Sequence, residues 1–148
     1  MKKSIGRLVS ILYRKNQVYL DIALKPLNIT AAELPFIARL FARDGVSQEY
    51  LSSYLSIDKA ATAKAVKSLA LKGYVRKDKN PSDKRANQIY ITEYALRQKD
   101  EIMKRLREWT EILTQSIDKA EIDTMHTVLE KMVNRVEDWE AHRHGEDG

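Results

Sequence analysis

The sequence predicts a mainly α-helical chain that carries one small β-hairpin. Three observations lead there. Apolar residues recur at helical spacing along most of the 148 residues. Two short β-prone runs, 74–77 and 88–91, stand together behind Gly73. The excess positive charge is concentrated between the helix before that hairpin and the hairpin's tip.

Residues 4–25 form the first predicted helix, with Ile5, Leu8, Leu12, Tyr19 and Ile22 on one stripe and Pro26 and Asn28 ending it. Thr30-Ala31-Ala32-Glu33 is a capping box, in which hydroxyl and carboxylate exchange hydrogen bonds with each other's backbone N–H. It opens a second helix to about Arg43, with Pro35 expected to distort the first turn. Ser47 caps a short third helix, and Asp58 caps a fourth that Gly73 stops after Lys72. The hairpin comes next, with a turn-rich loop over 78–87 as a long exposed tip. Thr92 caps a fifth helix with Ile102, Leu106, Trp109 and Leu113 in line. Asp118 and Glu121 open a sixth, where Ile122, Met125, Leu129, Met132, Val136 and Trp139 repeat at spacings of 3, 4, 3, 4, 3. That is a heptad seam, which asks for a partner helix packed nearly parallel. The tail from about Ala141 is polar and is expected to fray.

The composition fits this reading. The chain is 43% hydrophobic, 7% aromatic and 32% charged, enough to bury a core beneath a charged surface. It has no cysteine, which removes disulfides, thiolate nucleophiles and thiol redox sensing. No apolar run is long enough to span a bilayer. Arg7, Arg14 and Lys15 interrupt the segment after Met1-Lys2-Lys3, so no signal-peptide core is present. The expectation is a cytoplasmic protein without a membrane partner.

The net charge is +5, and its distribution matters more than its size. Between Asp58 and Arg85 nine Lys or Arg face three Asp, so that stretch alone is +6. A stretch of this kind is the electrostatic footprint of a polyanion-binding surface. On charge alone, a solvated face without a partner remains an equal reading. The fourth helix adds geometry. Thr62, Ala65, Val66 and Leu69 make its buried stripe, and Ala60, Ala63, Lys64 and Lys67 lie opposite. Small residues let a helix approach a DNA major groove closely, and lysines meet phosphates or guanine edges. Leu71 falls on the same outward side, and nothing in the sequence explains it. Helix, helix, tight turn, helix and basic hairpin together make a winged helix-turn-helix.

The motif Asn80-Pro81-Ser82-Asp83-Lys84-Arg85-Ala86 resembles the wing of MarR-family regulators. Ile57-Asp58-Lys59 with Val66, Leu69 and Lys72-Gly73-Tyr74-Val75 is similar to that family's recognition helix and the start of its wing. Ile91-Thr92-Glu93 is similar to the entry into its long dimerisation helix. The motif-level resemblance runs from about Ile29 to Thr92. It implies that Arg85 enters a minor groove with Asp83 bracing it, and that Lys64 is the main groove-facing contact of the helix. The family often places hydroxyl residues just after the helix start. This chain has Ala60 and Ala61 there, which implies methyl contacts or weaker sequence discrimination. The candidate DNA contacts are Ser47, Lys59, Ala60, Ala63, Lys64 and Lys67 on the helices and Arg76, Asp83, Lys84 and Arg85 on the hairpin.

The resemblance also implies a homodimer, and the unsatisfied stripes agree. The candidate dimerisation residues are Ile5, Leu8 and Leu12 at one end and Met125, Leu129, Met132, Val136 and Trp139 at the other. The expected organisation is a winged domain over 28–91, a dimerisation region over 1–27 and 92–142, and a flexible tail over 143–148. The expected function is sequence-specific binding of double-stranded DNA at a pseudo-palindromic operator. That describes a repressor released by a small aromatic or phenolic anion. Tyr13, Arg14 and Tyr19 are placed to line such a site, though residues of this kind more often fill a dimer core. The competing reading is a winged-helix module that binds only proteins. No nucleophile–base pair and no glycine-rich phosphate cradle is present, so catalysis is not expected, nor is a cofactor. His126, with Glu130 one turn on, and His142-x-His144 are singletons more often structural than metal-binding.

Overall fold

A computed structural model of the chain describes residues 2–80 and 82–146, with side chains at all of these except 79, 80, 83–87 and 146. The chain divides into two units, Met1–Trp109 and Thr110–Gly148.

The first unit holds α1 (Gly6–Leu24), α2 (Leu34–Ala42), β1 (Val46–Ser47), α3 (Gln48–Leu55), α4 (Lys59–Leu71), β2 (Val75–Asn80), β3 (Asp83–Ile91) and most of α5 (Glu93–Thr114). The sequence-predicted caps form. Glu33 N donates to Thr30 Oγ1 at 3.2 Å while Thr30 N donates to Glu33 Oε1 at 2.9 Å, the reciprocal capping box. Ser47 Oγ accepts from Tyr50 N at 3.0 Å, Asp58 Oδ1 from Ala61 N at 2.7 Å, and Thr92 Oγ1 from Ala95 N at 3.1 Å.

Two expectations need correction, and one holds. The turn around Pro35 is irregular, with residues 31–33 as turn and regular helix only from Leu34. Phe36 N donates to the Glu33 carbonyl at 3.2 Å, and Ile37 N reaches it only at 3.5 Å. The hairpin is not two short strands around a long loop. β2 and β3 pair from Val75↔Ile91 out to Asn80↔Asp83, with a register irregularity between Lys79 and Asn80. The sheet is also three-stranded, in the order β1-β3-β2, because Val46 and Ser47 pair with Ile89 and Gln88. Pro81 lies outside the described residues.

Two glycines allow the close turns this requires. Gly45 has φ +69°, and a Cβ there would sit 2.9 Å from the Tyr90 ring, so both backbone and space exclude a side chain. Gly73, at φ +86°, ends α4 and turns the chain into β2. The core under these elements is built from Leu24, Phe36, Ile37, Leu40, Leu51, Leu69 and Ile89, with Ile102 of α5 closing it. Tyr19 of α1 stacks on Trp109 of α5 at 4.3 Å, and Trp109 Nε1 donates to Asn16 Oδ1 at 3.1 Å.

The second unit holds the end of α5 and α6 (Lys119–Glu146). α6 does not stop near Ala141. It continues through His142–Glu146, where Arg143 and Glu146 are good helix formers and His142 Nδ1 lies 2.7 Å from the Asp138 carbonyl oxygen. Its first turn closes with Ile122 N donating to the Asp118 carbonyl at 3.1 Å. Among its described side chains only Ile122 is partly covered.

Candidate nucleic-acid interface

α4 owes its two faces to its sequence. Thr62, Ala65, Val66 and Leu69 are buried, against α3 and β2. Lys59, Ala60, Lys64 and Lys67 are exposed, and Ala63 is half-buried at the edge of the apolar face. Among the described residues none of these three lysines forms a salt bridge, so their charge is available to an external anion. Leu71 lies in the same row and is 82% exposed; nothing in the structure explains an apolar side chain there.

Several bonds hold that face in place. At its start, the Asp58 carboxylate caps Ala61 and the Thr62 hydroxyl donates to the Asp58 carbonyl at 2.8 Å. At its end, a contact unforeseen from the sequence joins α4 to the start of α2. Glu33 is only 4% exposed. Its Oε2 accepts from Ser68 Oγ at 2.5 Å, and its Oε1 accepts from Lys72 Nζ at 2.7 Å. Burial alone would raise this carboxyl. The hydrogen bonds from Lys72, Ser68 and Thr30 outweigh that and hold it below the ordinary carboxylate range. One side chain thus closes its own capping box and anchors the last turn of α4. Only the serine, one turn before a lysine, offered any signal, and it is 35 residues away.

Other bonds tie this frame to its surroundings. Asp21 of α1 accepts from Ala31 N at 2.7 Å. The Tyr74 hydroxyl donates to the Leu27 carbonyl at 2.5 Å; burial, with Tyr94 beside it, pushes its phenol far up. The Thr92 hydroxyl donates to the Gly73 carbonyl at 2.6 Å, joining the start of α5 to the turn after α4.

On the hairpin, Arg76 lies across the strand from Tyr90, with its guanidinium 4.6 Å from that ring's centroid, and it pairs with Asp78. Arg76 is exposed, as expected of a DNA contact, but part of its charge is already matched. Asp83, Lys84 and Arg85 have their backbone in β3, while their side chains, and so the expected Asp83–Arg85 brace, lie outside the described residues. Ser47 is half-buried with its oxygen committed to the α3 cap.

No group of three or more His, Cys, Asp or Glu side chains among the described residues could hold a metal ion. Among them, too, no helix is long and apolar enough to cross a membrane. What stands out chemically is a helix-turn-helix, α3–α4, with an exposed basic row on its second helix and an antiparallel wing behind it. That is the anatomy of a winged-helix regulator.

The comparisons make the class specific. The family model described as MarR family matches residues 29–86. A MarR transcriptional regulator from Methanosarcina mazei is 36% identical and superposes with a TM-score of 0.83, over 88% of this chain and 94% of that one. The multiple antibiotic resistance protein MarR of Escherichia coli is 31% identical over 88 residues, 60% of this chain and 61% of the relative. A mutant MarR from E. coli, solved in complex with operator DNA, is 26% identical with a TM-score of 0.78, over 86% and 92%. The chain belongs to the MarR family of transcription regulators, and is a regulator rather than an enzyme.

Proposed function

We propose that this protein binds double-stranded DNA as a homodimer, with α4 in the major groove and the β2–β3 wing along the adjacent minor groove. The observation that carries this reading is α4 itself. Its four inward residues are buried, its outward row is small then basic, and both ends are pinned by carboxylates, Asp58 and Glu33. A helix so held presents its N-terminal half to base edges and its lysines to phosphates. The operator complex of the E. coli relative supports the same use of the fold.

The dimer reading is supported by apolar surface without a partner in the single chain. Ile5, Leu8 and Leu12 on α1 are exposed, as are Met125, Leu129, Met132, Val136 and Trp139 along the α6 seam. Apolar surface of that extent marks an interface. The dimerisation region is accordingly placed at 1–27 and 92–142, around a winged domain at 28–91. A two-fold dimer reads a pseudo-palindrome with half-sites about one helical turn apart. Occupying such a site at a promoter represses, and a small aromatic or phenolic anion that respaces the two wings releases it. The protein acts in the cytoplasm, where its DNA is.

Fluorescence anisotropy of a labelled duplex from upstream of the protein's own gene, across a salt series, tests the core of this. Tight, salt-dependent binding that Arg85→Ala weakens is expected. Absence of binding to that duplex and to random DNA at low salt would leave a protein-binding module as the better account. Titration of the dimer with salicylate, followed by tryptophan fluorescence, tests the effector; no saturable change at millimolar ligand removes it.

A further inference from the structure

A second basic site lies off the α4 row, where α2 meets α3. Arg39 directs Nε at 3.1 Å and Nη2 at 2.5 Å to the Tyr50 hydroxyl oxygen. Its guanidinium sits 3.8 Å from the centroid of Tyr54. Arg43 reaches the same hydroxyl at 3.5 Å and lies 4.9 Å from the centroid of the Tyr50 ring. The two tyrosines, one turn apart on α3, stack at 5.8 Å. Two guanidinium planes are therefore fixed by aromatic faces and by one shared acceptor.

That acceptor is a phenol, which brings no negative charge. Among the described residues neither arginine forms a salt bridge with a carboxylate. The uncompensated charge registers on Tyr50. The hydrogen bond from Arg39, joined by Arg43 and the charge of both, outweighs desolvation and lowers its pKa from the ordinary phenol value. Of the five N–H donors of Arg39, two point at Tyr50, which leaves three for another oxygen acceptor. Arg43 and Tyr54 are exposed, so the site opens to solvent. Planar, pre-oriented guanidinium groups with free donors match the oxygens of a phosphate.

We infer that Arg39, Arg43, Tyr50 and Tyr54 form an oxyanion site that takes a phosphate group. The favoured source is a DNA backbone phosphate, a choice that rests on the DNA-binding reading. In a helix-turn-helix the first helix, here α3, crosses the sugar–phosphate backbone while the second enters the groove. The site would then contribute affinity and register without sequence information. A free phosphate-bearing molecule is the other source of the same chemistry.

Two measurements on the full-length protein test this. The first is the salt dependence of duplex binding for wild type, Arg43→Gln and the Arg39→Gln/Arg43→Gln double variant. Loss of one phosphate contact lowers the slope of log K against log salt by about 0.9 and weakens specific and random duplexes alike, by several-fold. The second follows the arginine Nε–H NMR signals of wild type during titration with inorganic phosphate. Saturable shifts at Arg39 and Arg43, with a reduced slope in the variants, are the expected result. Saturable shifts with an unchanged slope support the oxyanion site and assign it to a free phosphate compound. An unchanged slope with no shift at either arginine overturns the site and leaves the cluster as a clasp between α2 and α3. If wild type binds no duplex at all, the DNA reading fails while the phosphate titration still decides the site. Arg43 is exposed, so its single variant keeps the test valid should the double variant unfold.

Discussion

α4 and α6 both carry apolar stripes at helical spacing, and the single chain treats them oppositely. The α4 stripe of Thr62, Ala65, Val66 and Leu69 is buried against α3 and the sheet. The α6 stripe of Met125, Leu129, Met132, Val136 and Trp139 is exposed along its whole length. The difference comes from period and length. Four residues on a 13-residue helix are covered by one short helix and a strand close in sequence. A 3,4 repeat sustained over a 28-residue helix is satisfied only by another long helix. A stripe that its own fold covers stabilises that fold, whereas one left bare is where the proposed dimer would form.

The largest effect expected is in the covered stripe. Leu69→Ala opens a cavity at a fully buried position and should cost about 2–5 kcal/mol in denaturant unfolding; a loss under about 1 kcal/mol would mean that α4 is not held as described. Next, replacing Leu129 and Met132 together by Asp puts charge into the bare stripe. Sedimentation should then show monomers at concentrations where the unaltered protein is dimeric, with thermal stability that falls further on dilution. Equal masses for the two proteins would show that the stripe faces no second copy.

Glu33→Gln comes third, at about 1–3 kcal/mol, because Lys72 loses its charged partner while the capping geometry is retained. Since the folded carboxyl titrates below its unfolded value, its contribution is complete above about pH 4.3 and is lost as pH falls through the lower, folded pKa. Unfolding of the Gln variant should lack that part of the acid dependence, and identical acid profiles would place the carboxyl outside the α2–α4 contact. The smallest is Asp58→Ala, which removes the α4 N-cap for about 0.5–2 kcal/mol. On the proposed reading, in which the start of α4 meets base edges, DNA affinity should fall more than this stability loss explains; an affinity change no larger than the stability change would separate the cap from recognition.

Much of the candidate interface was legible from short-range pattern. The Thr30–Glu33 box, the caps at Ser47, Asp58 and Thr92, and the faces of α4 all depend on residues three or four apart, a spacing the helix itself imposes. Residues 78–87 were harder. Their turn-forming and charged residues favour a loop, yet pairing extends both strands to Asn80 and Asp83, because one strand supplies the hydrogen bonds the other lacks. Gly145 and a polar run suggested fraying after Ala141, yet α6 runs on to Glu146.

By itself, then, the sequence determined the order of elements, their caps, the basic face of α4 and the heptad of α6, since each is written in neighbouring residues. Only the tertiary structure decided the contacts that join distant segments. It made a strand of two residues, Val46–Ser47, by bringing them beside β3. It buried Glu33 against Lys72, 39 residues on, and set Arg39 and Arg43 around Tyr50. Such pairs leave no periodic mark, because chain closure around the core, not local preference, brings them together.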